Sequence, residues 1–316
     1  MNLDQRQITT FEACIAGGSL TQAARTLHIT LAAASLRIKA LESNLGQRLL
    51  VRGKVLRATP AGQALLAHIK RVRLLEADLT QTLHPEQHDF QALSVAVNAD
   101  SIASWFLDGV CASLKQHRLT IHAVIDDQGH TLDWLKNGDV IGCVTTLAQA
   151  LRGCVAEPLG VMRYRCVAAP TLATELRAGE QTPAPHRLLK TPAISFNRKD
   201  TLQDQFLQQH LGVTAAGYPR HYLPAVNAFR QALLGGLGWG MDAQIQHPDD
   251  YCEGRLVDLF PGLWLDVPLY WQHWLREPPQ AARLTKAILA AAKQALPTLE
   301  AAQGSSEDSS DLPGAI

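Results

Sequence analysis

Ser19-Leu20-Thr21-Gln22-Ala23-Ala24, followed by Ser35-Leu36-Arg37-Ile38-Lys39-Ala40-Leu41-Glu42-Ser43-Asn44-Leu45-Gly46, is the stretch whose spacing decides the fold. Around it, apolar residues recur at helical intervals in three short runs: Ile8, Phe11 and Ile15; Leu20, Ala23, Ala24 and Leu27; Ala34, Ile38, Leu41 and Leu45. Three short helices sharing one small core are expected. Gly17-Gly18 ends the first run, Ser19 or Thr21 can cap the second, and Thr30 can cap the third, each side-chain oxygen accepting from an otherwise orphan backbone N–H. His28-Ile29 then forms the tight turn of a helix-turn-helix. Beyond Gly46, the run Leu49-Leu50-Val51-Arg52, Gly53-Lys54 and Arg57 reads as a hairpin wing with a basic tip.

Outward from this module, Pro60 suits the first turn of a helix carrying Leu65, Ile69, Val72, Leu75, Leu79 and Leu83 at steps of three or four, and Pro85 stops it. A single apolar stripe on so long a helix needs a partner: a second copy of itself, or its own domain. Residues 91–298 alternate β-rich runs with helical stretches. Strands are expected at Leu93–Val97, Leu119–Ile125, Val140–Val144, Met162–Ala169, Ala193–Phe196, Leu256–Leu259 and Leu269–Trp271, the pattern of parallel α/β sheets. Gln280–Leu296 reads as an amphipathic helix, and the polar, acidic residues 304–316 as a disordered tail.

The chain has 316 residues, enough for two or three domains, with 29 Lys and Arg balancing 29 Asp and Glu. Zero net charge argues against nucleic acid only if the charge is evenly spread, and it is not. Residues 1–75 hold eleven Lys and Arg against three acids (Asp4, Glu12, Glu42), a balance of +8, so the remainder carries −8. A basic end is the electrostatic footprint of a phosphate-binding module. Six cysteines at wide spacings include no Cys-x-x-Cys pair and are expected to be reduced thiols.

The order winged helix-turn-helix, linker helix, α/β domain, together with the residues quoted above, Leu49-Leu50-Val51-Arg52 and Ala58-Thr59-Pro60-Ala61-Gly62, resembles a LysR-type transcriptional regulator over nearly the whole chain. Arg37-Ile38-Lys39-Ala40-Leu41-Glu42, Ser94-Val95-Ala96-Val97-Asn98-Ala99-Asp100-Ser101, Phe206-Leu207-Gln208-Gln209 and Tyr270-Trp271 resemble its arginine/lysine-responsive ArgP/LysG branch. The resemblance implies an α+β multidomain protein. Residues 1–59 would be the winged helix-turn-helix domain, 60–84 a linker and dimerisation helix, and 91–298 a two-lobed, periplasmic-binding-protein-like effector domain. Lobe one would span about 91–160 and 268–298, and lobe two about 162–266, with hinge crossings near Leu159–Met162 and Asp266–Leu269. It also implies homodimers that pair into homotetramers on dyad-symmetric double-stranded DNA, with RNA polymerase as a further partner.

Burying Ala34, Ile38, Leu41 and Leu45 turns Ala32, Leu36 and Lys39 of the third helix toward the major groove, with Thr30, Ser35 and Arg37 beside them. Arg25, Arg48, Arg52, Lys54 and Arg57 are placed for phosphates or the minor groove, although any one of them can be an ordinary surface residue. The family commonly has polar residues where this chain has Ala32 and Leu36, so readout is expected to lean on thymine methyls and DNA shape.

For an effector such as lysine or arginine, Asn98, Ala99, Asp100 and Ser101 lie where a strand passes into a helix, with backbone N–H groups suited to a carboxylate. Asp100 could equally cap that helix. Asp126 and Asp127 suit a cationic group or are an acidic turn, Thr145 and Thr146 end the third strand, and Phe196, Asn197 and Ala225-Val226-Asn227 are candidates on lobe two.

No catalytic residues, cofactor or metal are expected. His84-Pro85-Glu86-Gln87-His88 is not His-Glu-x-x-His, Gly235–Gly240 lacks phosphate-loop spacing and reads as a turn before a buried strand, and no Gly-x-Ser-x-Gly occurs. With no apolar run long enough to span a bilayer and no signal-like start, a cytoplasmic protein is expected. The rival reading is a nucleoid-type or replication-inhibiting DNA-binding protein without effector response. A soluble amino-acid binding protein would leave the +8 segment unexplained.

Overall fold

The computed structural model describes residues 3–51, 53–83, 90–125, 131–214 and 217–299. Helix α1 (Gln5–Gly17) starts at Asp4, whose carboxylate accepts from the N–H of Arg6 and Gln7, and stops at Gly18 in the left-handed region. Helices α2 (Leu20–Thr26) and α3 (Leu31–Leu45) are capped by Ser19 and Thr30, which accept from Gln22 N and Ala33 N at 3.1 Å each. Phe11, Cys14, Ala23, Ile38 and Leu41 form the shared core and are joined by Leu49 from the wing.

The wing is two short antiparallel strands, β1 (Leu50–Val51) and β2 (Arg57–Ala58). It is seated on helix α4 (Pro60–Leu83) through Gly62, where a Cβ would lie 2.2 Å from the Leu49 carbonyl oxygen. Only glycine fits so close a backbone approach. The α4 stripe divides: Leu65 and Ile69 are buried in the N-terminal core, whereas Leu75, Leu79 and Leu83 are 50, 58 and 64 % exposed. The linker therefore packs on its own domain at one end and keeps an unpartnered apolar face at the other.

The α/β part begins with β3 (Gln91–Ala96), a helical run formed by α5 (Ala99–Ser101), a π-turn (Ile102–Phe106) and α6 (Leu107–Gln116), then β4 (Leu119–Val124), α7 (Thr131–Lys136) and β5 (Gly142–Thr145). Strand β6 (Cys154–Ala168) leads to α8 (Pro170–Arg177), α9 (Pro185–Lys190), β7 (Ala193–Ser195), α10 (Leu202–Leu211), β8 (Arg220–Tyr222), α11 (Val226–Leu234) and β9 (Trp239–Ala243). Helix α12 (Pro248–Cys252), β10 (Val257–Asp258), β11 (Leu265–Trp274) and α13 (Pro279–Ala295) complete it. The strands form one sheet in the order β4-β3-β5-β11-β6-β9-β7-β8, with β10 beside β6.

That order makes two lobes. Strand β3 is parallel to β4 and β5, and β7 is parallel to β8 and β9. Between these groups β11 and β6 run antiparallel from one lobe into the other, so the expected short strands at Met162–Ala169 and Leu269–Trp271 are corrected to two long crossing strands. Hydrogen bonding to both lobes keeps them extended beyond their β-rich cores. Their ladder shifts register between Leu269 and Tyr270, opposite Gly160, whose φ of 129° places it in a conformation that other residues rarely adopt. Strand β8, not expected from the sequence, is a three-residue edge.

Arm and body meet along α4. Lys70 Nζ donates to Asp139 Oδ1 at 2.5 Å, and the Arg71 guanidinium lies 4.4 Å from the Trp274 ring centre. No helix among the described residues is long and apolar enough to cross a membrane, and no cluster of His, Cys, Asp or Glu among them could hold a metal ion. His84–His88 and the tail 304–316 lie outside the described residues.

Candidate functional site

On α3 the buried stripe of Ala34, Ile38 and Leu41 leaves Ala32, Leu36 and Lys39 exposed on the other side, with Leu36 at 69 %. Thr30 is exposed at the helix start while its hydroxyl caps it, and Ser35 is half-buried. Arg37 leans the other way, its Nη1 reaching Thr10 Oγ1 of α1 at 3.4 Å. Lys54 and Arg57 are exposed on the wing, and Arg52 lies outside the described residues. An open hollow of about 620 Å³ between α3 and the wing is lined by Lys39 and Arg48.

Two positioning contacts escaped the sequence reading. Glu42 Oε1 accepts from the N–H of Leu49 at 2.8 Å and of Leu50 at 3.3 Å, which fixes the wing to the end of α3. Glu12 of α1 pairs with Arg73 of α4 at 2.5 Å. Together they tie α3 to the wing and α1 to α4 around the basic face.

The second site lies where both groups of parallel strands end. In lobe one, the register that opposes Ala96 to Cys143 carries Asn98 beside Thr145. In lobe two, the register that opposes Ile194 to Gly240 carries Phe196 beside Asp242. Ligand sites of open α/β sheets occupy this edge.

Asp100 reaches from the first of these edges to the second. Its Oδ2 accepts from Tyr164 Oη of β6 at 2.5 Å and its Oδ1 from Gln246 Nε2, just past β9, at 2.7 Å. Its carboxylate makes no cap to the helix, which corrects that alternative. Burial pushes the Asp100 carboxyl up in pKa; the Tyr164 and Gln246 hydrogen bonds pull it down, and the charges of Asp242 and Asp200 push it up again. Burial, then the charge of Asp100, likewise raises the Tyr164 phenol.

Asp200 accepts from the N–H of Phe196 at 2.8 Å and of Leu202 at 3.1 Å, within a turn where Asn197 Oδ1 accepts from Lys199 N. Asp242, 2 % exposed, accepts from Tyr251 Oη at 2.7 Å, with His247 Nδ1 3.6 Å away. Three carboxylates thus share the junction, and no Lys or Arg among the described residues hydrogen-bonds to any of them. Asn98 Oδ1, Ser101 Oγ, Trp105 Nε1 and Ser195 Oγ are buried without hydrogen-bond partners among the described residues. A surplus of part-buried negative charge beside unsatisfied polar atoms suits a small cation that also carries hydrogen-bonding groups.

Of the sequence candidates, Asn98, Ala99, Asp100 and Ser101 come together with Thr145 and Thr146 on lobe one. Thr145 is fully buried and its hydroxyl accepts from Leu147 N at 3.3 Å. Phe196 and Asn197 belong to the Asp200 turn, Asn227 is exposed in the first turn of α11, and Asp126 and Asp127 lie outside the described residues. Tyr164, Asp242 and Gln246 were missed, because nothing local marks them.

The family profile described as "Bacterial regulatory helix-turn-helix protein, lysR family" matches residues 5–63, and "LysR substrate binding domain" matches residues 88–293. The chain is 35 % identical over 295 residues to the HTH-type transcriptional regulator ArgP of Aeromonas salmonicida, covering 93 % of this chain and 98 % of that protein. The crystal structure of ArgP from Mycobacterium tuberculosis superposes with a TM-score of 0.84 at 34 % identity, over 94 % of this chain and all of that one. Full-length LysG from Corynebacterium glutamicum with bound effector Arg superposes with a TM-score of 0.80 at 30 % identity, over 93 % of this chain and all of that one.

Proposed function

The chain belongs to the LysR family of bacterial transcriptional regulators, and from that premise we propose that it is a regulator that senses a basic amino acid, arginine or lysine, and controls genes of amino-acid export or metabolism. The family binds DNA through the helix-turn-helix and responds through the substrate-binding domain. What carries the basic-amino-acid reading is Asp100, a half-buried carboxylate between the lobes with Asp200 and Asp242 nearby. The arginine bound by the similar LysG protein supports it.

In this reading the effector's guanidinium or ammonium group pairs with Asp100, and Asn98, Ser101, Thr145 and Thr146 offer hydrogen bonds from lobe one. Phe196 and Asn227 are lobe-two candidates, as are Asp126 and Asp127 on lobe one. The contacts of Asp100 with Tyr164 and Gln246 hold the lobes in one relation. A ligand cation that takes over this carboxylate shifts the relation only by its differential affinity for the two arrangements.

Thr30, Ala32, Ser35, Leu36 and Lys39 face DNA, with Arg37 beside them and Arg52, Lys54 and Arg57 on the wing. The division 1–59, 60–84 and 91–298 assigns DNA contact, pairing and sensing to successive parts. Dimers form through α4 and pair into tetramers on dyad-symmetric operators in the cytoplasm, where RNA polymerase is the further partner.

The experiment is a thermal-shift screen of the full-length protein against the twenty amino acids. A ligand at 100 times its Kd stabilises by about 2.7 kcal/mol, a clear rise in melting temperature. Arginine or lysine should give it, and a flat response to both overturns the assignment.

A further inference from the structure

The joint between arm and body holds a second concavity of about 560 Å³, built from different residues than the acidic cleft. That volume falls within the range of small-molecule sites. Helix α4 supplies one wall with Lys70, Arg71 and Leu74, and lobe one supplies the other with Phe90, Val140 and Trp274. Most of this lining is apolar, but its cations differ in what they are free to do.

Lys70 is committed to Asp139 at 2.5 Å, and Arg73 to Glu12 at 2.5 Å. Arg71 has no carboxylate among the described residues. Its Nε donates to the Ala67 carbonyl at 3.3 Å and its plane lies over Trp274, which holds the guanidinium in place and leaves its charge unpaired. Gln91 on the same wall is only 8 % exposed, and neither of its amide atoms has a hydrogen-bond partner among the described residues. Buried amides are nearly always bonded, so a cavity wall with an orphaned amide and an unpaired guanidinium is chemically incomplete.

We propose that this joint is a second ligand site, for a small amphipathic carboxylate whose anionic end pairs with Arg71 and whose apolar body lies on Leu74, Phe90 and Val140. A carboxylate matches the planar fork of one guanidinium, whereas a phosphate dianion would bring more charge than one unpaired arginine balances beside Asp139. A basic amino acid is repelled here by Arg71, the cation of this wall that no carboxylate among the described residues balances, so the two sites take ligands of opposite charge. An occupant touches the arm and lobe one together, and therefore favours arrangements in which these surfaces face each other.

The test is calorimetric titration of 3-phenylpropionate into the full-length protein, with the uncharged 3-phenylpropan-1-ol as control. One site with a Kd of about 1 mM or tighter is expected for the acid. Arg71→Gln should weaken it about tenfold or more by removing a charge-assisted pair, and Ala92→Trp should weaken it similarly by filling the cavity from β3. Unchanged melting temperatures, and an unchanged thermal response to arginine, show that the variants fold. Absence of binding, equal binding of acid and alcohol, or binding unaffected by both substitutions overturns the proposal.

Discussion

The carboxylate of Asp100, in the first helix of lobe one, accepts a 2.5 Å hydrogen bond from the phenol of Tyr164, on the part of β6 that belongs to lobe two. Burial raises the pKa of both groups, and Gln246 makes the second bond from the far side. Lobe geometry is thereby tied to one carboxylate, the group that a cationic effector would seek.

Asp100→Asn keeps the size of this residue but removes its charge and replaces one of its two acceptor oxygens with an NH2 donor, which a turned Gln246 amide can accept. Because a raised carboxyl pKa means that ionised Asp100 destabilises the fold, its contribution is most favourable below the ordinary 3.8 and is lost as pH rises through the raised value. At neutral pH the variant should melt at the same or a higher temperature. Its affinity for arginine should fall about tenfold or more, since a charged hydrogen bond is worth about 1.5–3 kcal/mol. Wild-type arginine binding by calorimetry refutes the assigned role.

His273 gives a pH dependence of the same sign in a higher window, here because its charged form is the stabilised one. It is 6 % exposed, with Nε2 3.3 Å from Glu157 and Nδ1 3.2 Å from Glu277. Burial lowers its pKa, but Glu277 and then Glu157 outweigh burial and the result is raised from 6.5. A raised histidine pKa stabilises fully below 6.5 and loses that contribution as pH rises through the raised value. Melting temperature should therefore fall on going from pH 6.5 upward, and His273→Gln should flatten this slope. Parallel melting curves for the two proteins across that range contradict the prediction.

The open end of the α4 stripe governs pairing. Leu79→Glu places a charge in the middle of Leu75, Leu79 and Leu83 while leaving the buried Leu65 and Ile69 intact. Sedimentation should then show monomers of unchanged secondary structure. Operator affinity should drop about a hundredfold or more, because two linked half-site contacts become independent. A dimer of normal stability would place the interface elsewhere.

DNA contacts divide by chemistry. If a dimer neutralises six to ten phosphates, operator affinity should fall by about 10³–10⁵ between 50 and 200 mM salt, and Lys39→Ala should lower the salt slope by about one per protomer. Leu36→Gln leaves charge alone and adds hydrogen-bonding groups at a 69 % exposed position, so it should alter sequence preference in a binding-site selection with little change in salt slope. An unaltered preference means that Leu36 does not read the operator.

Much of this was legible before any coordinates. The α3 face followed from a 3.6-residue period, and the caps at Ser19 and Thr30 followed from residue type. Arg37 was not legible, since the same helix position can point to DNA or lean on Thr10, and only the packing of α1 decides. The extent of β6 and β11 was hidden as well, because strands bonded on both sides need little β-rich sequence of their own.

The sequence by itself determined the local and additive properties: the helix-turn-helix, the stripe along α4, the basic arm balanced by an acidic body, and the α/β alternation. These depend on periodicity and composition over a few turns. Tertiary structure alone decided which carboxylate bridges the lobe junction and what faces it. Tyr164 and Gln246 stand 64 and 146 positions from Asp100 in the chain, and only the crossing of β6 and β11 between two parallel groups brings them within a hydrogen bond. Desolvation, and with it the charge that the cleft asks of a ligand, arises from that packing and has no local signature.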